Sequence, residues 1–307
     1  MRLVFLGTSA FACPALCALA EAHDVALVIT QPDRPAGRKR RLCPPAIKVA
    51  ASELGLKVAQ PERINSPDGL DILGNAAPDA IVVASYGQLL RKAVFSLPPL
   101  GTINIHASLL PRYRGAAPIN WAIINGEQET GITTFLIDKG MDTGKVLMKE
   151  PLAIGKDETA GELHDRLATL GAKVIIETLR GIEDKTLVTT VQNEDEASLA
   201  PKFCREDGKI DWTQTAQEIH DRVRGMNPYP GAFTLLGKET VKVHRTLVTG
   251  IGCGDVQPGE IALKETGRLL VGTGDDLIEI MEVQHESRPR VSGHDFLNGL
   301  RAETRFG

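Results

Sequence analysis

Thr102-Ile103-Asn104-Ile105-His106-Ala107-Ser108-Leu109-Leu110-Pro111 is the stretch that decides the fold. Its first half reads as a short β-branched strand ending at His106, so an amide and an imidazole lie where the strand runs out. Upstream, residues 3–6, 25–30, 57–59 and 80–84 are runs of the same kind. Between them, residues 14–22, 45–54, 66–76 and 88–95 read as helices. The first and second of these open with Pro14 and Pro45, since proline suits the first helical turn. This alternation predicts an α/β domain whose mostly parallel sheet is covered on both faces. Ligands of such sheets bind beyond the carboxyl ends of the strands, which is where Asn104 and His106 stand.

Farther along, the pattern continues with a helix at residues 118–124, strands at 132–137 and 146–149, and a long helix over 159–181. Residues 192–208 are polar and charged, contain Pro201, and read as a linker. The expected division is a first domain over residues 1–191, a linker over 192–208 and a second domain over 209–307. Two domains are also the default for a chain of 307 residues. In the second, Asp211-Trp212-Thr213 starts a helix that runs to Gly225, with Thr213 as its N-cap. Short runs at 232–236, 241–247, 260–263, 269–271 and 277–283, separated by turn residues, predict a small β domain.

Past the deciding stretch, Gly140-Met141-Asp142-Thr143-Gly144 supplies a carboxylate. An amide, an imidazole and a carboxylate suit attack by an amine on a carbonyl-like carbon. The amide stabilises an oxyanion, the imidazole takes up a proton, and the carboxylate orients the imidazole. Such chemistry needs no metal. Asp138 is the rival carboxylate, and a Ser-His-Asp hydrolase using Ser108 or Ser85 is the rival mechanism. No G-x-S-x-G elbow exists, and Ser108 is only two residues from His106. Gly7-Thr8-Ser9 lacks the further glycines of a dinucleotide fingerprint and reads as a strand-to-helix turn lining the site.

With Arg112-Tyr113-Arg114-Gly115-Ala116-Ala117-Pro118-Ile119 added, the chain resembles the formyltransferases that use 10-formyltetrahydrofolate. Within them it is most similar to the methionyl-tRNA formyltransferase family, from Leu3 to about Leu300. The resemblance implies a Rossmann-like mostly parallel sheet domain, the formyltransferase fold, followed by a small OB-like antiparallel β-barrel. It implies transfer of formyl from 10-formyltetrahydrofolate to the free amino group of initiator methionyl-tRNA, with release of tetrahydrofolate. The product, N-formylmethionyl-tRNA, serves translation initiation. Asn104, His106 and Asp142 would be catalytic. Ser108, Leu109, Leu110 and Pro111 would bind folate, through backbone contacts and two leucines that look exposed. A monomer in the cytoplasm, with no metal and no membrane partner, is expected. Two alternatives are formylation of a small amine such as an amino sugar nucleotide, and hydrolysis of the formyl-folate. A third is a nucleic-acid-binding protein that keeps the fold without the chemistry.

The acceptor is read from a different place. Arg34-Pro35-Ala36-Gly37-Arg38-Lys39-Arg40-Arg41-Leu42 holds five cations and no acid. Such a run in isolation is a solvated loop, but the resemblance implies that it enters the end of a tRNA acceptor stem. Arg34, Arg38, Lys39, Arg40 and Arg41 are the candidates, with Lys39 standing where the family often has glycine. Lys238, Lys242, His244 and Arg245 form a second, modest basic patch, in which Lys242 is the candidate for the tRNA backbone.

Composition agrees with such local recognition. A net charge of −4 gives no bulk attraction to nucleic acid or anionic membrane. Cys13, Cys17, Cys43, Cys204 and Cys253 are odd in number and lack C-x-x-C spacing, which argues for a reducing compartment. The first 22 residues imitate a secretory signal, but Gly7 to Ser9 and Pro14 interrupt them. No apolar run reaches the ~20 residues of a spanning helix.

Overall fold

The computed structural model describes residues 1–36, 41–262, 267–300 and 304–307. Arg38, Lys39 and Arg40, and the end of the strand expected at 260–263, lie outside the described residues. The chain forms two compact units. The first comprises Met1–Gly115, Thr130–Leu152 and His164–Leu199; the second comprises Ala116–Glu129, Ala153–Leu163 and Ala200–Gly307. The two alternate along the chain, which a single division at residues 192–208 does not anticipate.

In the first unit a seven-stranded sheet runs in the order Val146–Ala153, Glu129–Leu136, Thr102–His106, Ala80–Ala84, Arg2–Gly7, Asp24–Ile29, Val58–Ala59. Thr102–His106, Ala80–Ala84, Arg2–Gly7, Asp24–Ile29 and Val58–Ala59 pair in parallel, and Glu129–Leu136 joins Thr102–His106 antiparallel. Leu3, Val4, Phe5 and Leu6 are all 0 % exposed, as a strand covered on both faces requires. Each such side chain contributes roughly 1.5–3 kcal/mol by leaving water. The chain passes from the first strand outward on one side, then returns to place Ala80–Ala84 on the other. The crevice between these neighbours is the topological switch point.

The helix expected at 88–95 is only Lys92–Phe95. Gln88 and Leu89 are engaged elsewhere: the Gln88 carboxamide bonds the backbone of Ile64 and Glu62, and the Leu89 carbonyl accepts from Asn65. Within residues 34–43, read as a loop, Arg34–Ala36 and Arg41–Cys43 pair as antiparallel strands. Asp33, just before the first of them, accepts from Lys48 Nζ at 2.8 and 2.9 Å and from Gln60 Nε2 at 2.8 Å.

The second unit holds a five-stranded antiparallel sheet, in which Glu239–Gly252 pairs Ala232–Leu236 and Asp276–His285, and the latter pairs Leu270–Gly272 and Val291–Ser292. Where a strand was expected at 260–263, Glu260 and Ile261 make only isolated bridges. Helix Ala216–Met226 packs on helix Pro118–Ile124. The approach is close because Gly225 carries no Cβ; an added one would lie 2.6 Å from Ile124 Cγ1 and 3.2 Å from the Asn120 carbonyl. Beneath the helices, Trp212 stacks on Phe306 at 5.7 Å and its indole N–H donates to Thr234 Oγ1.

The N-cap of helix Ala216–Met226 is Thr215, not Thr213, whose hydroxyl and N–H are committed to Asp211 Oδ1. Thr215 and Glu218 form a capping box that satisfies two orphan amides reciprocally. Thr215→Ala is therefore expected to cost about 1 kcal/mol and to lower the melting temperature by roughly 2–4 °C. Calorimetry checks this, and an unchanged melting temperature would remove the cap from the account.

Candidate active site

Residues two apart on a strand share a face, so Asn104 and His106 project to the same side of Thr102–His106. His106 is buried, at 6 % exposure, with Phe135 edge-on at 6.3 Å. Its Nε2 lies 3.0 Å from the Tyr113 carbonyl. A carbonyl only accepts, so Nε2 carries the proton and Nδ1 of the neutral ring keeps its lone pair. Nδ1 lies 3.8 Å from Asp142 Oδ2. The Asn104 amide is half-buried and has no hydrogen-bond partner among the described residues. Of the two N–H-bearing side chains in the trio, it is the one whose donors have no acceptor among the described residues.

Asp142 sits in a tight loop with φ +55°, a left-handed conformation that costs an L residue roughly 1–3 kcal/mol unless its surroundings impose it. They do. Gly144 is required, because a Cβ there would collide with the Leu136 carbonyl oxygen. Asp142 Oδ2 accepts from the Gly115 N–H at 2.8 Å, and the Asp142 carbonyl accepts from Gln192. The rival Asp138 is spent on its own turn, where Oδ1 accepts from Gly140 N and Thr143 Oγ1.

The Ser108–Pro111 segment differs from its reading in one respect. Leu110 is 0 % exposed, so its side chain is no wall for a ligand, and only Leu109 is partly open. The reason is the turn's attachment to the neighbouring strand. Thr133 Oγ1 donates to the Ser108 carbonyl at 2.6 Å and accepts from Leu110 N at 3.1 Å, which draws Leu110 inward. Ser108 Oγ donates to the Arg112 carbonyl. At the switch point, Thr8 Oγ1 donates to the Tyr86 carbonyl and Ser9 Oγ to Ser85 Oγ, so Gly7-Thr8-Ser9 is tied to the end of Ala80–Ala84. Burial pushes the Tyr86 phenol up to about 12, which keeps it neutral.

Of the tRNA candidates that are described, Arg34, Arg41 and Lys242 are all exposed. Arg34 stands 3.6 Å from Glu62. The second basic patch is thinner than its sequence. His244 is buried beside Gln284, and desolvation pushes its pKa below the usual imidazole value; Arg245 pairs with Glu162 at 2.6 Å. Lys238 and Lys242 remain exposed.

The sequence reading passed over Tyr113, Arg114, Gly115 and Gln192 as parts of the site. The first three belong to the segment quoted above for its resemblance; Tyr113 and Gly115 act through a carbonyl and an N–H that have no side-chain signature, and Arg114 through its guanidinium. Gln192 stands in a polar stretch that resembles solvent-exposed linker, yet it is 7 % exposed.

The formyl transferase family model matches residues 1–179, and its C-terminal domain model matches residues 202–301. The chain belongs to the formyl transferase family. It is 47 % identical over 304 residues to a protein of Geobacter metallireducens named methionyl-tRNA formyltransferase, covering 99 % of this chain and 97 % of that one. A protein of Solibacter usitatus with the same name is 48 % identical over 303 residues, covering 98 % and 96 %. Among solved structures, WlaRD, described as a sugar 3N-formyl transferase in the presence of dTDP and 5-N-formyl-THF, superposes with a TM-score of 0.68. That match is 18 % identical and covers 94 % of this chain and 99 % of that one, so it speaks to the fold.

Proposed function

We propose that the protein transfers the formyl group of 10-formyltetrahydrofolate to the free amino group of initiator methionyl-tRNA. The observation that carries the chemistry is an amide, Asn104, unpartnered among the described residues, on the same strand face as an imidazole whose Nδ1 looks toward a carboxylate. Whole-length likeness to relatives named methionyl-tRNA formyltransferase favours that acceptor over a sugar amine.

The folate supplies a carbon at the formyl oxidation level on a nitrogen that can leave. An α-amine has a pKa of about 7.7–8.0, so part of the acceptor is nucleophilic without a strong base. Asn104 donates to the oxygen that becomes negative as the amine adds. His106 Nδ1 takes the proton from the attacking nitrogen and returns it to the departing one, while Nε2 stays anchored on Tyr113. Asp142 faces the imidazolium so formed and favours its charge. The folate is held by the backbone of Ser108 to Pro111 and by Leu109, with Leu110 supporting from within. In a test, 10-formyltetrahydrofolate is supplied with methionyl-tRNA, free methionine, a sugar amine or water, and tetrahydrofolate release is followed. Release is expected with methionyl-tRNA; equal release with water overturns the transferase reading.

Arg34, Arg38, Lys39, Arg40 and Arg41 would meet tRNA phosphates, and Lys242 would touch the tRNA backbone from the second unit. If the five loop cations all do so, log affinity falls against log salt with a slope of roughly −3 to −5. A fluorescence titration at several salt concentrations measures it, and a flat response would remove this loop from tRNA recognition.

A further inference from the structure

We infer that Gln192, locked by Arg114, is a positioning residue for Asp142; the inference rests on Asp142 being the catalytic carboxylate. The loop Gly140-Met141-Asp142-Thr143-Gly144 has two glycines, and its aspartate holds a left-handed conformation, so an outside brace is needed to fix it. Gln192 supplies one. Its Nε2 donates to the Asp142 and Gly144 carbonyls, both at 2.8 Å, and so clasps the loop on either side of Thr143.

A carboxamide in this place could turn over and present its oxygen to the loop. Arg114 prevents that. Arginine only donates, and its Nε and Nη2 lie 3.2 and 2.9 Å from Gln192 Oε1, which holds the NH2 group toward the loop. Arg114 is held in turn by Glu194, whose two oxygens accept from Nη1 and Nη2 at 2.8 Å. Arg114 is 5 % and Gln192 7 % exposed, so their contact lies out of water, where hydrogen bonds are strongest, while Glu194 holds Arg114 from the exposed side. The residues on either side of Arg114 serve the same purpose: Tyr113 accepts from His106 Nε2, and the Gly115 N–H holds the Asp142 carboxylate. Three consecutive residues thus fix the imidazole, the loop and the carboxylate together.

Gln192→Glu replaces the two donations to the loop by an acceptor that repels both carbonyls, while it keeps the side-chain volume and still accepts from Arg114. The expected result is a loss in kcat of about 10- to 100-fold from misplacement alone, with KM for the formyl donor changed less than about threefold. Gln192→Leu gives a similar loss, and circular dichroism and melting temperature show whether each variant is folded. The decisive measurement is a double-mutant cycle. In an Asp142→Ala background, Gln192→Glu should cost less than about threefold, since the group it positions is gone. Wild-type kcat in a Gln192→Glu enzyme, or an equally large loss with Asp142 already removed, overturns the inference. If Asp142→Ala itself keeps full turnover, the assignment of Asp142 fails first. Loss in Asp142→Ala without loss in Gln192→Glu sinks only the brace.

Discussion

Asn104→Ala is expected to lower kcat for formyl transfer by about 10²–10³-fold while leaving folding and donor binding nearly intact. Two observations separate these effects. The amide is half-buried and bonded to nothing among the described residues, so its removal leaves no buried partner unsatisfied and costs little stability. It stands on the strand face that carries His106, where a donor meets charge only as the reaction develops it. An interaction made only in the transition state shows in kcat and kcat/KM alike, with donor affinity unchanged. Single-turnover measurements at saturating donor and methionyl-tRNA read the effect directly. Near-wild-type turnover would remove Asn104 from the chemistry. A loss matched by a fall in melting temperature would make it a structural residue.

The parts of this protein that sequence discloses are those carried by side-chain pattern. Thr102–His106 and Ala80–Ala84 fall where β-branched runs place them, because strands of a covered sheet favour such residues. The trio is legible because amide, imidazole and carboxylate are functional side chains. What was not legible is carried by backbone atoms and by tertiary choice. Tyr113 and Gly115 act through a carbonyl and an N–H that every residue possesses. Leu110 reads as exposed beside Pro111 until Thr133, on another strand, pulls its backbone inward. Gln192 reads as linker until Arg114 gives its oxygen a buried partner. The N-cap is a different case, because the sequence does carry its signal: Thr215 has Glu218 three residues beyond, the capping-box spacing, whereas Thr213 does not and is held by Asp211.

The same contrast between side chain and backbone decides what His106 variants should do. In His106→Gln the new amide nitrogen takes the place of Nε2 and can keep the bond to the Tyr113 carbonyl, so the fold is retained. Nothing basic then stands where Nδ1 stood beside Asp142, 3.8 Å away. The expected loss in kcat is about 10²–10⁴-fold, the usual worth of a positioned acid–base group. In His106→Asn the amide falls instead near the place of Nδ1, and the Tyr113 carbonyl loses its buried donor. That variant should lose about 1–3 kcal/mol of stability in addition to its activity. A melting temperature lower for the asparagine variant than for glutamine, with both inactive, is the pattern that assigns the anchor to Nε2 and the proton transfer to Nδ1. A glutamine variant with more than about a tenth of wild-type kcat would contradict the role of proton carrier. A glutamine variant less stable than the asparagine one would mean that the imidazole is held in the opposite tautomer, with Asp142 and not Tyr113 as its anchor.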